Sequence, residues 1–141
     1  PTRKPQIYEP AMRRIAQRCD GWIPEGPPAV MAEGISMIKE LAKETKRELS
    51  DFQVTGYIPL YIDNDAVAQD RTRKTLVTEI HTFEDGLAGS LVGSVDRICK
   101  VIERYQNAGV HSLGMRCWAE NLDRFISMMR TFANEVMPRF T

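Results

Sequence analysis

Two histidines, three cysteines and a scatter of carboxylates are the residues of this 141-residue chain with the types to do chemistry. Their spacing is uninformative for most reactions. His81 and His111 stand 30 positions apart, and neither has a ligand-spaced partner of the kind a metal site uses. His111, at the start of an apolar stretch, reads as a packed or hydrogen-bonded histidine. Cys19, Cys99 and Cys117 are odd in number and lack a CxxC pair, so they read as reduced, mostly buried thiols. Serines, histidines and carboxylates occur together, but without the GxSxG elbow that exposes a nucleophilic serine. No GxGxxG or Walker sequence offers a phosphate cradle. Glu84-Asp85 is a carboxylate pair on a glycine-rich stretch and reads as a solvated loop.

Composition narrows the partners. Acidic and basic residues balance at 19 each, which removes the electrostatic footprint of a nucleic-acid binder or of a protein that docks on an anionic membrane. Arg3, Lys4, Arg13, Arg14 and Arg18 form a local basic stretch that reads as a solvated helix face. No apolar run reaches the roughly 20 residues that span a bilayer, and no signal-peptide pattern is visible. The expectation is one domain over residues 1–141, cytoplasmic, with enough chain to bury a core. The first residue is Pro rather than Met, which leaves open a processed product or a fragment.

The elements that must position any site alternate. Pro5 to Tyr8 is a meagre strand signal. Pro10 suits the first turn of a helix that buries Met12, Ile15, Ala16 and Cys19 and stops at Asp20-Gly21. Trp22-Ile23-Pro24 is a very short strand, and Pro27 or Pro28 opens a helix to about Glu48 with Met31, Ile35, Ile38, Leu41 and Ala42 inward. Phe52 to Ile62 is rich in β-formers, although Gly56 and Pro59 predict a bulge or an edge strand. Asn64 or Asp65 caps a helix to about Ile80, with Val67, Leu76, Val77 and Ile80 as its apolar face, and Thr82 to Gly93 reads as a long loop.

Helix, tight turn, strand and helix then follow. Ser94 caps a helix carrying Ile98, Ile102 and Tyr105, with Val95 and Val101 flanking, and Gly109 ends it in the left-handed conformation. Val110 to Trp118 is predicted as a buried strand, and Leu122, Phe125, Ile126, Met129, Phe132, Ala133 and Val136 mark a wide apolar face on a last helix that Pro138 ends. Such alternation gives a parallel sheet with right-handed crossovers.

Four segments carry a resemblance. Asp20-Gly21-Trp22-Ile23-Pro24, Leu91 to Arg97, the junction Tyr105…Ala108-Gly109-Val110-His111 and the ending Phe132 to Pro138 resemble, in order and spacing, the C-terminal half of bacterial luciferase-like monooxygenases. That family includes flavin- and deazaflavin-dependent oxidoreductases. The resemblance implies an α/β fold, a partial (β/α)8 TIM-type barrel of parallel strands alternating with helices. It implies FMN or a deazaflavin coenzyme as cofactor, held at the C-terminal mouth of the strands. One feature departs from the family: its Gly-Gly-Ser-like turn before the first helix is replaced by Ile7-Tyr8-Glu9-Pro10, so no phosphate-binding residue carries over.

In such a barrel the C-terminal ends of strands face the mouth, which nominates Glu25, Asp63, Arg116 and Trp118. Arg116 would meet an anionic group of cofactor or substrate, and Trp118 would stack; ordinary capping, ion pairing and packing are the competing reading. Two functions follow. One is a luciferase-like oxidoreductase fragment that acts on a small molecule with a missing N-terminal half or a second copy. The other is a non-catalytic half-barrel that oligomerises through uncovered strand edges and an apolar sheet face.

Overall fold

The computed structural model describes residues 8–77 and 82–140. Arg3, Lys4, the strand signal at Pro5-Gln6-Ile7 and His81 lie outside the described residues. Three parallel strands form the sheet in chain order: β1 (Gly21–Trp22), β2 (Gln53–Ile62) and β4 (Ser112–Cys117). A fourth, β3 (Leu91–Gly93), pairs in parallel with the last three residues of β2. Helices intervene: α1 (Glu9–Arg18), α2 (Pro28–Glu44), α3 (Asp65–Leu76), α4 (Phe83–Ala88), α5 (Val95–Asn107) and α6 (Leu122–Thr131). The result is an open α/β sheet, part of a (β/α)8 barrel.

β2 is the central strand, not an edge. Its odd-numbered residues point their backbone groups toward β1 and β3: the Tyr57 N–H donates to Pro24 O at 2.9 Å and the Asp63 N–H to Gly93 O at 3.1 Å. Even-numbered residues bond β4, as where Val54 O accepts the His111 N–H at 2.9 Å. Pro59 is odd-numbered. Its missing donor falls in the interval where β1 has ended and β3 has barely begun, so the ladder loses nothing.

Side chains of β2 alternate too. Val54, Gly56, Ile58, Leu60 and Ile62 are buried beneath the helices. Gly56 is tight there, since an added Cβ would lie 3.1 Å from Leu113 and 3.4 Å from Met31. Gln53, Thr55, Tyr57 and Pro59 point to the opposite face, which the helices leave open along this stretch. The buried set joins Ile98, Ile102 and Tyr105 of α5 in the main core, while Ile38, Leu41 and Ala42 of α2 pack with Met12 and Ala16 of α1.

α2 ends at Glu44, short of Glu48, because Lys46 takes a φ of 54° and breaks the helical path. The break swings Arg47 onto α1. Its guanidinium donates to Ala16 O at 3.0 Å, Cys19 O at 2.8 Å and Asp20 Oδ1 at 3.2 Å, satisfying the carbonyls that α1 leaves unbonded at its C-terminus.

The segment 82–93 is not a loop. Thr82 and Asp85 form a reciprocal capping box that starts α4, and β3 follows. Glycine there permits close approach: a Cβ on Gly86 would lie 2.4 Å from Leu76 O. α3 ends at Leu76 and buries Ala68, Thr72 and Leu76, leaving Val67 and Val77 exposed, so its inward face differs from the expected one. Ile80 lies outside the described residues.

α5 keeps its expected face and stop, with Ser94 as N-cap and Gly109 at φ 86°. β4 is half-exposed rather than buried. The last helix also departs from expectation. Its α-helical part ends at Thr131, five residues of π-helix follow over Phe132–Val136, and a short 3-10 turn completes it. Only Met128 and Val136 are buried there; Leu122, Phe125, Ile126 and Ala133 stay at the surface. Met128 reaches beneath β2, where its Sδ lies 3.4 Å from the Ile62 N.

Candidate functional site

The open face of the sheet holds the candidate site. Register sets Thr55 beside Ser112, Tyr57 beside Gly114 and Pro59 beside Arg116. The Thr55 and Ser112 hydroxyls lie 2.7 Å apart, a hydrogen bond across the strands. One step up, Tyr57 lies against Gly114, where an added Cβ would sit 3.3 Å from the phenol ring. The absence of a side chain lets Arg116 lean over Tyr57. The uncovered face is therefore polar and aromatic, which corrects the expectation of an apolar one.

Arg116 sits between two rings. Its guanidinium carbon is 5.8 Å from the centroid of Tyr57 and 5.3 Å from that of Trp118. Both contacts are cation–π in character. Among the described residues it forms no hydrogen bond or ion pair, whereas Arg13, Arg47, Arg71, Arg124 and Arg139 are all ion-paired.

Two hollows lie at this end of the sheet, one lined by Arg116 and one by Trp118. The first, a cavity of about 70 Å³, lies in the gap between β1 and β3 beside Pro59. Glu25, Tyr57, Asp85 and Arg116 line it together with Gly26 and Gly89. Tyr105 braces it from below: its buried hydroxyl lies 2.8 Å from Gly26 O and 2.7 Å from Gly89 O, so one α5 side chain ties both glycine loops. The second hollow, near 270 Å³, lies on the other side of Trp118, against Tyr61, Arg71, Thr72 and Glu120.

Of the expected residues, Glu25, Arg116 and Trp118 converge, Glu25 from an exposed position on the rim. Asp63 does not join them. Its carboxylate accepts from Arg124 Nη2 at 2.6 Å, and the same nitrogen donates to Ile62 O at 2.5 Å. Arg124 also lies 5.2 Å from the Tyr61 ring, and the Tyr61 hydroxyl donates to Glu120 Oε1 at 2.7 Å. Burial first, then the bond to Glu120, pushes the Tyr61 phenol above its ordinary range, while that same bond holds the Glu120 carboxyl below its own.

Other chemistry recedes. His111 is hydrogen-bonded as expected: its Nδ1 accepts the Val54 N–H at 3.0 Å. Burial pushes the Cys117 thiol up, away from thiolate nucleophilicity. Among the described residues no three metal-ligating side chains gather, and no helix is long and apolar enough to cross a membrane. Sequence reasoning missed Tyr57 and Arg124, placed Tyr105 only in the core, and read Asp85 as part of a solvated loop. For Tyr57 the signal was present, since Tyr57, Pro59 and Tyr61 share one face by period-two alternation.

No family model matches the sequence, and no curated protein sequence matches it. Solved structures do match in fold. The coenzyme F420-dependent tetrahydromethanopterin reductase from Methanopyrus kandleri superposes with a TM-score of 0.75 at 17% identity, over 95% of this chain and 49% of that one. The monooxygenase RslO1 from Streptomyces bottropensis gives 0.70 at 15% identity, over 98% and 47%. Riboflavin lyase RcaE, whose structure holds modified FMN and the substrate riboflavin, gives 0.64 at 12%, over 94% and 40%.

The fold is thus that of the luciferase-like flavin and F420 oxidoreductases, and the chain spans about half or less of the length of these relatives.

The solved structures of this fold are named for ring cofactors, F420 in one and modified FMN in another. The ring portion fits what is there: two aromatic faces and an unpaired guanidinium on an open sheet face. The phosphate portion does not fit α1, where Glu9 occupies the first turn and Pro10 offers no N–H.

Proposed function

We propose that this chain forms one wall of a luciferase-like oxidoreductase chamber, holding a flavin or deazaflavin ring against its open sheet face. Turnover on a small-molecule substrate then needs a second half-barrel to close the chamber. The observation that carries the reading is Arg116, unpaired and set between Tyr57 and Trp118 at the C-terminal end of β4. Ring cofactors named for the fold's relatives, F420 and FMN, supply hydride or electron chemistry when bound. This chain's part is different. Trp118 and Tyr57 offer stacking surfaces, and Arg116 offers a fixed positive charge to a ring that gains electrons.

Fluorescence titration of the purified chain with FMN and with coenzyme F420 tests it. Saturable binding in the micromolar range, weakened about tenfold or more in Arg116→Ala and in Trp118→Ala, is the expected result. Binding of neither ring overturns the reading.

A second reading is a non-catalytic half-barrel that pairs with a second copy of itself. Leu122, Phe125 and Ile126 favour it, being 69%, 39% and 37% exposed on one end of α6. Sedimentation at micromolar concentration decides: a dimer that dissociates in Leu122→Glu/Phe125→Glu supports this reading, and a monomer removes it.

A further inference from the structure

We propose that the Tyr57–Arg116–Trp118 site takes a phosphate-free heteroaromatic ligand, riboflavin in preference to FMN, because the chain has filled or removed the places where a phosphate would anchor. This rests on the ring-binding reading above and specifies its ligand.

Phosphates bind proteins through free backbone N–H groups at helix N-termini and through unpaired cations. Five helices of eight or more residues stand among the described residues, and four of them carry an acidic residue in the first turn. α1 begins with Glu9 and Pro10. α2 begins with Pro27 and Pro28, which removes two donors where the chain enters the helix from the cavity. α3 has Asp65 in its first turn, and its Asn64 cap accepts the Val67 N–H at 3.0 Å. α6 has Asp123 in its first turn, and its Asn121 cap accepts the Arg124 N–H at 2.9 Å.

The N-terminus of α5 is the telling case. Gly93 at φ 135° followed by Ser94 is the kind of small-residue entry that would admit a phosphate, yet Asp65 Oδ1 already accepts the Ser94 N–H at 2.7 Å. The chain's own carboxylate occupies the anion position. That hydrogen bond, with Arg97 and Lys100 nearby, holds the Asp65 carboxyl below the ordinary range, so it stays charged there.

Charge in the cavity points the same way. Arg116 is the one cation among the residues that line the cavity, where the carboxylates of Glu25 and Asp85 also stand. The remaining arginines near the strand ends are engaged, Arg71 with Glu120 and Arg124 with Asp63. In that lining a phosphomonoester of about −1.5 to −2 charge at neutral pH meets one cation, Arg116, which faces two aromatic rings.

Riboflavin and FMN share one ring and differ by the phosphate, so their affinity ratio reads the phosphate alone. The purified chain is titrated with each, at low and at high salt, by flavin fluorescence and calorimetry. Riboflavin binding more tightly than FMN by about threefold or more is the expected result, with little salt dependence for riboflavin. FMN binding to within about threefold of riboflavin, or more tightly, overturns this inference and leaves the ring site standing. Binding of neither flavin overturns it, and if F420 also fails the ring site goes with it. Glu25→Gln, at an exposed position on the rim, provides a second measure: it should raise FMN affinity relative to riboflavin, and an unchanged ratio of the two affinities counts against the charge argument.

Discussion

Asp65 Oδ1 accepts the Ser94 backbone N–H at 2.7 Å, so the first residue of α3 closes the N-terminus of α5 across 29 positions of sequence. The bond depresses the Asp65 carboxyl, and the sign of its effect on stability follows. A carboxyl whose folded pKa is lowered contributes stability that is present above its unfolded value, about 3.9, and is lost as pH falls through the folded value. Asp65 is exposed, so solvent screening limits the contribution to about 1 kcal/mol or less. Thermal melts should show Asp65→Ala less stable than wild type at neutral pH, with the gap closing below about pH 4. A gap that persists into strong acid would show that charge plays no part.

Gly93 makes that contact possible. An added Cβ would lie 2.5 Å from Asp65 Oδ1 and 2.6 Å from Arg97 Cδ, and the φ of 135° is strained for any L side chain. Gly93→Ala should cost about 1–3 kcal/mol in urea unfolding and should remove most of the further effect of Asp65→Ala, since the two act on one contact. Additive losses would place the strain elsewhere.

Tyr105→Phe keeps the packing and removes one hydroxyl. Its single proton serves Gly26 O or Gly89 O, and the carbonyl it serves loses that donor in the variant. The expected cost is about 1–2 kcal/mol. Burial holds the Tyr105 phenol well above the ordinary value of about 10, so its stabilising contribution is complete below that pH and falls away above it, as the unfolded chain ionises first. Wild type should therefore lose stability above about pH 10 more steeply than Tyr105→Phe. Parallel pH profiles would sink the assignment.

Much of the frame was legible because α5 and its surroundings obey local rules. The Ser94 cap, the face of Ile98, Ile102 and Tyr105, and the Gly109 stop each follow from a few adjacent residues. What failed was set by tertiary context. Pro59 argued for an edge, yet a central strand tolerates it because two short neighbours leave a gap at that residue. The glycines of 82–93 suggested a loop, whereas Gly86 serves a close crossing of α3 and α4. At the site, strand-end reasoning found Glu25, Arg116 and Trp118. It misplaced Asp63, because Arg124 lies 61 positions away and only the docking of α6 brings the two together.

Arg124 is the residue through which α6 is held at its start, and its loss should be local before it is global. One guanidinium nitrogen bridges Ile62 O and Asp63 Oδ2, and the group faces the Tyr61 ring, at positions only 29% exposed on each side of the ion pair. Beyond it, α6 buries Met128 alone, so little else resists fraying at its first turn. Lysine keeps the charge but presents a point donor without a planar face, and cannot reproduce the bridge and the ring contact together. Arg124→Lys should cost about 1–2 kcal/mol, and Arg124→Met, which leaves Asp63 half-buried and unpaired, about 1–3. Hydrogen exchange should speed at the amides of α6 in both variants before it changes in α5. Uniform acceleration across the two helices would mean that Arg124 supports the whole sheet rather than the docking of α6.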